Sequence, residues 1–168
     1  MSRKILVLLG LVLAVGATTT QADEYPSKVI TLVVPFSAGG PTDTVARMIA
    51  QPMSKTLGQT IIVENIGGAG GTIAAARVAR ANPDGYTIFL HHIGMATSAT
   101  LYKKLPYNVL TDFEPIGLVT PVPMTIIAKQ AMGAKDVKEF ISYIKANKDN
   151  ITYGNAGVGA ASHLCGML

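Results

Sequence analysis

Val33-Val34-Pro35-Phe36-Ser37-Ala38-Gly39-Gly40-Pro41-Thr42-Asp43 is the stretch that decides the fold. Thr31 to Val34 is a short, mostly β-branched run and reads as a buried strand. Pro35 stops the strand by removing a ladder donor. Ser37, Ala38, Gly39 and Gly40 form a small-residue loop in which the backbone can turn and approach a ligand closely. Thr42 or Asp43 then caps a helix whose apolar positions are Val45, Met48, Ile49 and Met53. A strand, a glycine loop and a helix N-terminus together present free N–H groups and a partial positive charge, a ready site for a carboxylate or phosphate. An ordinary βα turn reads the same way, so the rest of the chain must discriminate.

Outward from this stretch, the pattern repeats. Pro52 inside the first helix should kink or shorten it, and Gly58 is its C-terminal stop. Thr60 to Val63 is a second strand, followed by Glu64-Asn65-Ile66-Gly67-Gly68-Ala69-Gly70-Gly71 and an alanine-rich helix from Thr72 to about Ala81. A dinucleotide fingerprint fails here: counted from Gly68, Ile73 falls where the third glycine belongs, and Glu64 precedes the glycines instead of following them. The loop reads as a close helix–strand packing turn at the edge of a candidate ligand cleft. Asn82-Pro83-Asp84-Gly85 is a turn, and Tyr86 to Leu90 is a third strand with His91 and His92 at its carboxyl end, where open α/β sheets bind ligands. Adjacent strand residues point to opposite faces, so the two histidines are poorly placed to share a metal ion, and a cleft-lining or hydrogen-bonded structural role fits either one better.

Gly94 to Leu101 reads as a short helix. Phe113 to Thr120, Met124 to Lys129 and Ile151 to Gly154 read as strands, with Pro121-Val122-Pro123 as a crossover between lobes. Ala134 to Lys148 is an amphipathic helix with Val137, Phe140, Ile141 and Ile144 on one face. Asn155 to His163 is a second glycine loop running into a helix. Strand, glycine loop and helix opening therefore recur near residues 40 and 158.

Composition excludes several classes. The 168 residues are 49% apolar and 14% charged, enough for a sizeable core. Arg3 and Lys4, followed by the apolar run Ile5 to Val15, form a secretory leader over residues 1–22, cut after Ala22. The run is short for a membrane span of ~20 residues. Without Arg3 and Lys4 the chain carries 12 basic and 10 acidic side chains, too balanced for nucleic acid. Cys165 is the single cysteine and excludes an internal disulfide; it reads as a small buried hydrophobe on a helix. No cofactor motif is found. An exported hydrolase using Ser162 or Ser37 is the competing class, but neither serine lies in a G-x-S-x-G elbow, and Ser162 and His163 are adjacent and poorly placed to bond each other.

Taken jointly, Tyr25-Pro26-Ser27-Lys28, Val34 to Asp43, Gly67 to Gly71, Asn82 to Tyr86, Leu101-Tyr102-Lys103-Lys104-Leu105-Pro106-Tyr107 and Gly157 to Leu164 resemble the substrate-binding receptors of tripartite tricarboxylate transporters, the Bug family. The resemblance implies a two-lobed, α/β periplasmic-binding-protein fold of the Venus-flytrap type, a periplasmic location, and a small carboxylate ligand handed to membrane permease subunits, with no enzymatic activity. It implies binding roles for Phe36, for Ser37, Ala38, Gly39 and Gly40 as backbone donors, for Thr42 and Asp43 as cap and water-ordering groups, and for Gly157, Ser162 and His163 from the second lobe. Family members run to roughly twice this length. The expected division is therefore residues 23–121 for most of the first lobe and 122–168 for the start of the second, a truncated receptor, with a non-functional fragment as a further alternative. A complete receptor is expected to be a monomer.

Overall fold

The computed structural model describes residues 24–121 and 123–168. The expected leader, residues 1–22, and Val122 of the expected crossover lie outside the described residues.

Three parallel strands form the sheet: β1 (Ile30–Val34), β2 (Ile61–Asn65) and β3 (Thr87–Phe89), in the order β2-β1-β3. β1 is central because it alone is apolar on both faces; Ile30, Leu32, Val33 and Val34 are all buried. Ile30 pairs with Ile61, and Val33 with Phe89. Pro35 follows β1 as expected, yet the ladder's last bonds run from Ile66 N–H to Val34 O and from Leu90 N–H to Val33 O, so both neighbours are tied to the centre at one edge.

Helix α1 (Pro41–Leu57) covers one face. Ala46 and Ala50 press against Ile30, Leu32, Val34 and Ile61, flanked by Ile49, Met53 and Leu57. Met48, expected on this face, is 71% exposed. The buried stripe follows Asp43, Ala46 and Ala50, and Met48 lies two residues from each alanine, on the far side of the helix. Nor does Pro52 shorten the helix, which continues to Leu57. Pro52 is exposed, so the Met48 carbonyl that loses its donor faces water. Gly58 ends the helix in the left-handed region, at φ 67°.

Helix α2 (Thr72–Val78) is shorter than expected. Bonds from Arg80 N–H to Arg77 O and from Ala81 N–H to Val78 O tighten its end into 3₁₀ turns. Helix α3 (Gly94–Leu101) forms where expected. The strands expected at 113–120, 124–129 and 151–154 are absent among the described residues. A strand is completed by a ladder partner, and none lies alongside these segments among the described residues. Leu118 and Ile127 are 90% and 92% exposed. Helix α4 (Val137–Ala146) is capped by Asp136, whose carboxylate accepts from Glu139 N–H, but Val137 and Ile141 face solvent. Helix α5 (Ala161–Met167) follows the second glycine loop and carries Cys165, half-buried. No helix among the described residues is long and apolar enough to cross a membrane.

Candidate ligand-binding site

A parallel sheet collects its carboxyl ends on one edge. Here that edge gathers the Phe36–Gly40 loop after β1, the Ile66–Gly71 loop after β2, and His91 and His92 after β3.

The first loop is held by a buried polar network. Gly40, not Thr42 or Asp43, is the N-cap of α1, with Pro41 at the first helical position, where a missing N–H costs nothing. Asp43 acts one step further in. Its Oδ2 accepts from Gly39 N–H at 2.7 Å and from Arg47 Nε at 3.0 Å, and its Oδ1 accepts from Asn65 Nδ2 at 3.0 Å. Asn65 Nδ2 also donates to Phe36 O at 3.0 Å, and Asn65 Oδ1 accepts from Arg47 at 3.2 Å. Asp43 is 2% exposed. The Arg47 guanidinium, helped by Gly39 N–H and the Asn65 amide, holds the Asp43 carboxyl at about 2, below its ordinary 3.8. Its negative charge is thus compensated internally.

The network sorts the loop's donors. Gly39 N–H is committed to Asp43, and Gly40 N–H to Ser37 O at 3.3 Å. Among the described residues, the N–H groups of Ser37, Ala38, Thr42 and Asp43 meet no acceptor. Ser37 and Ala38 are exposed.

The histidines pack as aromatic rings. His92 stacks on Phe36 with centroids 4.4 Å apart, and His91 meets Phe36 and Phe89 edge-on at 5.6 and 5.2 Å. His91 Nδ1 accepts from His92 N–H at 2.7 Å, and His92 Nδ1 from Gly94 N–H at 2.9 Å. Each ring therefore presents Nε2 as its remaining polar atom. Burial, with His92 alongside, pushes His91 down to about 4 from 6.5; burial lowers His92 as well.

The second glycine loop docks on the loop after β2. Gly70 abuts the Val158 carbonyl, and a Cβ on Gly157 would lie 2.8 Å from Gly70 N. At the other end of the same loop, Gly67 approaches Ser37 N. The Gly67–Gly71 loop therefore packs on the second segment expected to bind and runs beside the first. Within the second loop, Gly157 N–H donates to Asn155 Oδ1 at 2.9 Å, and Ser162 Oγ accepts from Ala156 N–H at 3.0 Å. His163 Nδ1 faces Gly159 N–H at 3.4 Å, leaving Nε2 as its donor. Among the described residues, neither Ser162 nor Ser37 bonds a histidine ring, so no nucleophile–base pair is assembled.

Sequence reading gave no site role to Arg47, Asn65, Thr97 and Tyr102. Arg47 was the legible one, four residues after Asp43 on one helix face. The other three act on residues distant in sequence. Glu64, considered above as a ribose ligand, is instead held by both terminal nitrogens of Arg77, at 2.7 and 3.0 Å.

The sequence profile described as "Tripartite tricarboxylate transporter family receptor" matches residues 45–167. A protein of Agrobacterium vitis, from the TAR-I ttuE-ttuC' intergenic region, is 50% identical over 99% of this chain and 48% of its own. BugT of Bordetella pertussis is 32% identical over 96% of this chain and 51% of its own. The chain spans about half the length of the curated relatives it matches. Among solved structures, the periplasmic binding protein BugD is 57% identical, with TM-score 0.81 over 84% of this chain and 48% of that one. MatC from Rhodopseudomonas palustris, with bound malate, is 45% identical, with TM-score 0.80 over 85% of this chain and 49% of that one. The α/β fold with its parallel sheet is thus that of periplasmic binding proteins, over about half of their length, and the relatives are solute-binding proteins rather than enzymes. The chain belongs to the tripartite tricarboxylate transporter receptor family, the Bug proteins.

Proposed function

We propose that this chain carries the carboxylate-gripping half of a periplasmic receptor that captures a small organic acid and delivers it to the permease subunits of a tripartite transporter. The observation that carries the reading is the pair of N–H groups without an acceptor on the exposed residues Ser37 and Ala38, at the opening of the 17-residue α1. They lie in a loop fixed from behind by a charge-compensated Asp43. Thr42 adds a first-turn N–H group, and Asp43 serves by fixing the loop from behind. The α1 dipole favours an anion there, and each charge-assisted bond contributes about 1.5–3 kcal/mol. Gly39 and Gly40 serve by letting the acid approach the backbone, and Phe36 with its stacked His92 forms an aromatic wall. Gly157 shapes the second loop, whose side-chain donors are the Ser162 hydroxyl and His163 Nε2–H. Residues 23–121 belong to the first lobe and 122–168 begin the second. Residues 1–22 act as the export leader, and the complete receptor works as a monomer. No cofactor is required, because binding without transformation needs donors only.

Two neighbours of about 85% coverage support the ligand class, one solved with malate and another, from R. palustris, with adipate. A thermal-shift and calorimetric series of mono-, di- and tricarboxylates, including malate and adipate, tests the reading. A ligand at 100 times its Kd stabilises the folded chain by about 2.7 kcal/mol. At least one acid should raise Tm by several degrees. Gly39→Val, which places a β-branched residue at φ 80°, should abolish the shift, and Cys165→Ser should keep it. No shift and no heat with any acid would overturn the proposal.

A further inference from the structure

Tyr102 follows α3 and sits where two glycine loops meet. Its hydroxyl lies 2.8 Å from Ala69 O and 2.9 Å from Val158 O, carbonyls 33 and 56 residues away in sequence. Both partners are acceptors and the phenol has one proton, so it is shared between them or alternates. Burial, with Tyr107 nearby, raises the phenol's pKa, so the proton stays on. Beneath the hydroxyl, the two backbones touch without side chains: Gly70 lies against the Val158 carbonyl, and Gly157 against Gly70 N. One α3 residue adds a second tie, Thr97 Oγ1 donating to Gly159 O at 2.9 Å.

These ties matter because little else holds the second loop. Residues 114–121 and 123–129 are exposed, and α4 buries no residue. Gly159 and Ala160, by contrast, are buried at the joint. Ala160 is the N-cap of α5, and Gly159 N–H faces His163 Nδ1. Whatever fixes Val158 to Ala160 therefore fixes the start of α5 and the ring of His163.

We propose that Tyr102 is a latch: its hydroxyl pins the Gly157–Gly159 loop onto the Ala69–Gly71 turn and thereby positions the donors of Ser162 and His163. The role of those donors rests on the receptor reading above; the latch itself does not. Tyr102→Phe deletes one oxygen and keeps the ring. Thr97→Val deletes the second tie, and Thr97→Ser restores it.

Hydrogen–deuterium exchange on the full chain, without ligand, is the direct test. One lost hydrogen bond predicts about two- to tenfold faster exchange at residues 158–164 in Tyr102→Phe. Thr97→Val should act in the same direction and Thr97→Ser should match wild type, with β1 and α1 unchanged in all. Unchanged exchange at 158–164 overturns the latch, as does equal acceleration of β1, which would mark Tyr102 as a general packing residue. Malate and adipate titrations form the second arm. Where wild type binds, Tyr102→Phe should weaken binding by a similar factor, through faster dissociation. Equal affinity overturns the coupling of latch to site. A loosened loop in a chain that binds neither acid supports the latch and counts against the receptor reading for those acids.

Discussion

Asp43 and Arg47 stand one helical turn apart and bond at 3.0 Å, yet the Asp43 side chain is 3% exposed and the Arg47 side chain 55%. The carboxylate faces inward, where water cannot replace a lost partner, and the guanidinium reaches in from the surface. Asp43→Ala would remove the acceptor of Gly39 N–H and of one Asn65 amide hydrogen, leaving Asn65 its bond to Phe36 O. It should lower Tm by on the order of 5 °C or more. Asp43→Asn should cost less, since one oxygen remains as acceptor, and Arg47→Ala least, since solvent reaches its side of the pair. Thermal unfolding followed by circular dichroism at pH 7 ranks the three; equal Tm values would show that the network does not hold the loop.

Acid should destabilise the fold in two steps. His91 is held at about 4 against an ordinary 6.5. Between those values the unfolded chain binds the extra proton first, so stability falls as pH drops through this window, by up to about 3 kcal/mol. Asp43 is held at about 2 against 3.8. Its contribution is present above pH 3.8 and is lost as pH falls toward 2. Urea midpoints at pH 7, 5 and 3 should decline in that order. His91→Gln should flatten the first step and Asp43→Asn the second. A midpoint unchanged from pH 7 to pH 5 would contradict the buried neutral state of His91.

Glycines on this chain should divide sharply in their tolerance of a methyl group. Gly70→Ala and Gly157→Ala each force a Cβ into the facing loop's backbone, at φ 63° and 108°. Both should expose the second loop to proteolysis and accelerate exchange at 157–160. At Gly154 a Cβ meets nothing within 4 Å, and Gly154→Ala should be silent. Limited proteolysis of the three variants beside wild type is sufficient; a protected loop in Gly157→Ala would show that the two backbones do not meet.

Local signals were legible wherever one short stretch suffices. The β-branched run at 31–34, the small-residue loop after it, Gly58 as a helix stop and the helix at 94–101 all depend on neighbours in sequence, and all stand where the residues place them. The expected strands at 113–120 and 124–129 carry the same β-branched signal and find no ladder partner among the described residues, because a ladder needs a second chain segment that composition does not specify. Met48 misled for a related reason: its spacing from Val45 and Ile49 suggests one apolar stripe, but the sheet takes Ala46 and Ala50, small enough to bring α1 close, and Met48 lies opposite them.

By itself, the sequence determined the succession of strand, glycine loop and helix opening at residues 30–57, and with it an edge rich in main-chain donors, whereas the strand expected before the second loop is absent among the described residues. Only the tertiary structure decided which donors are free. Asp43 and Ser37 O take up Gly39 and Gly40, leaving Ser37 and Ala38 exposed, and Tyr102 joins loops that lie 33 and 56 residues from it. The reason is physical: a backbone N–H is the same group at every residue, and its availability depends on which acceptors the fold brings within about 3 Å.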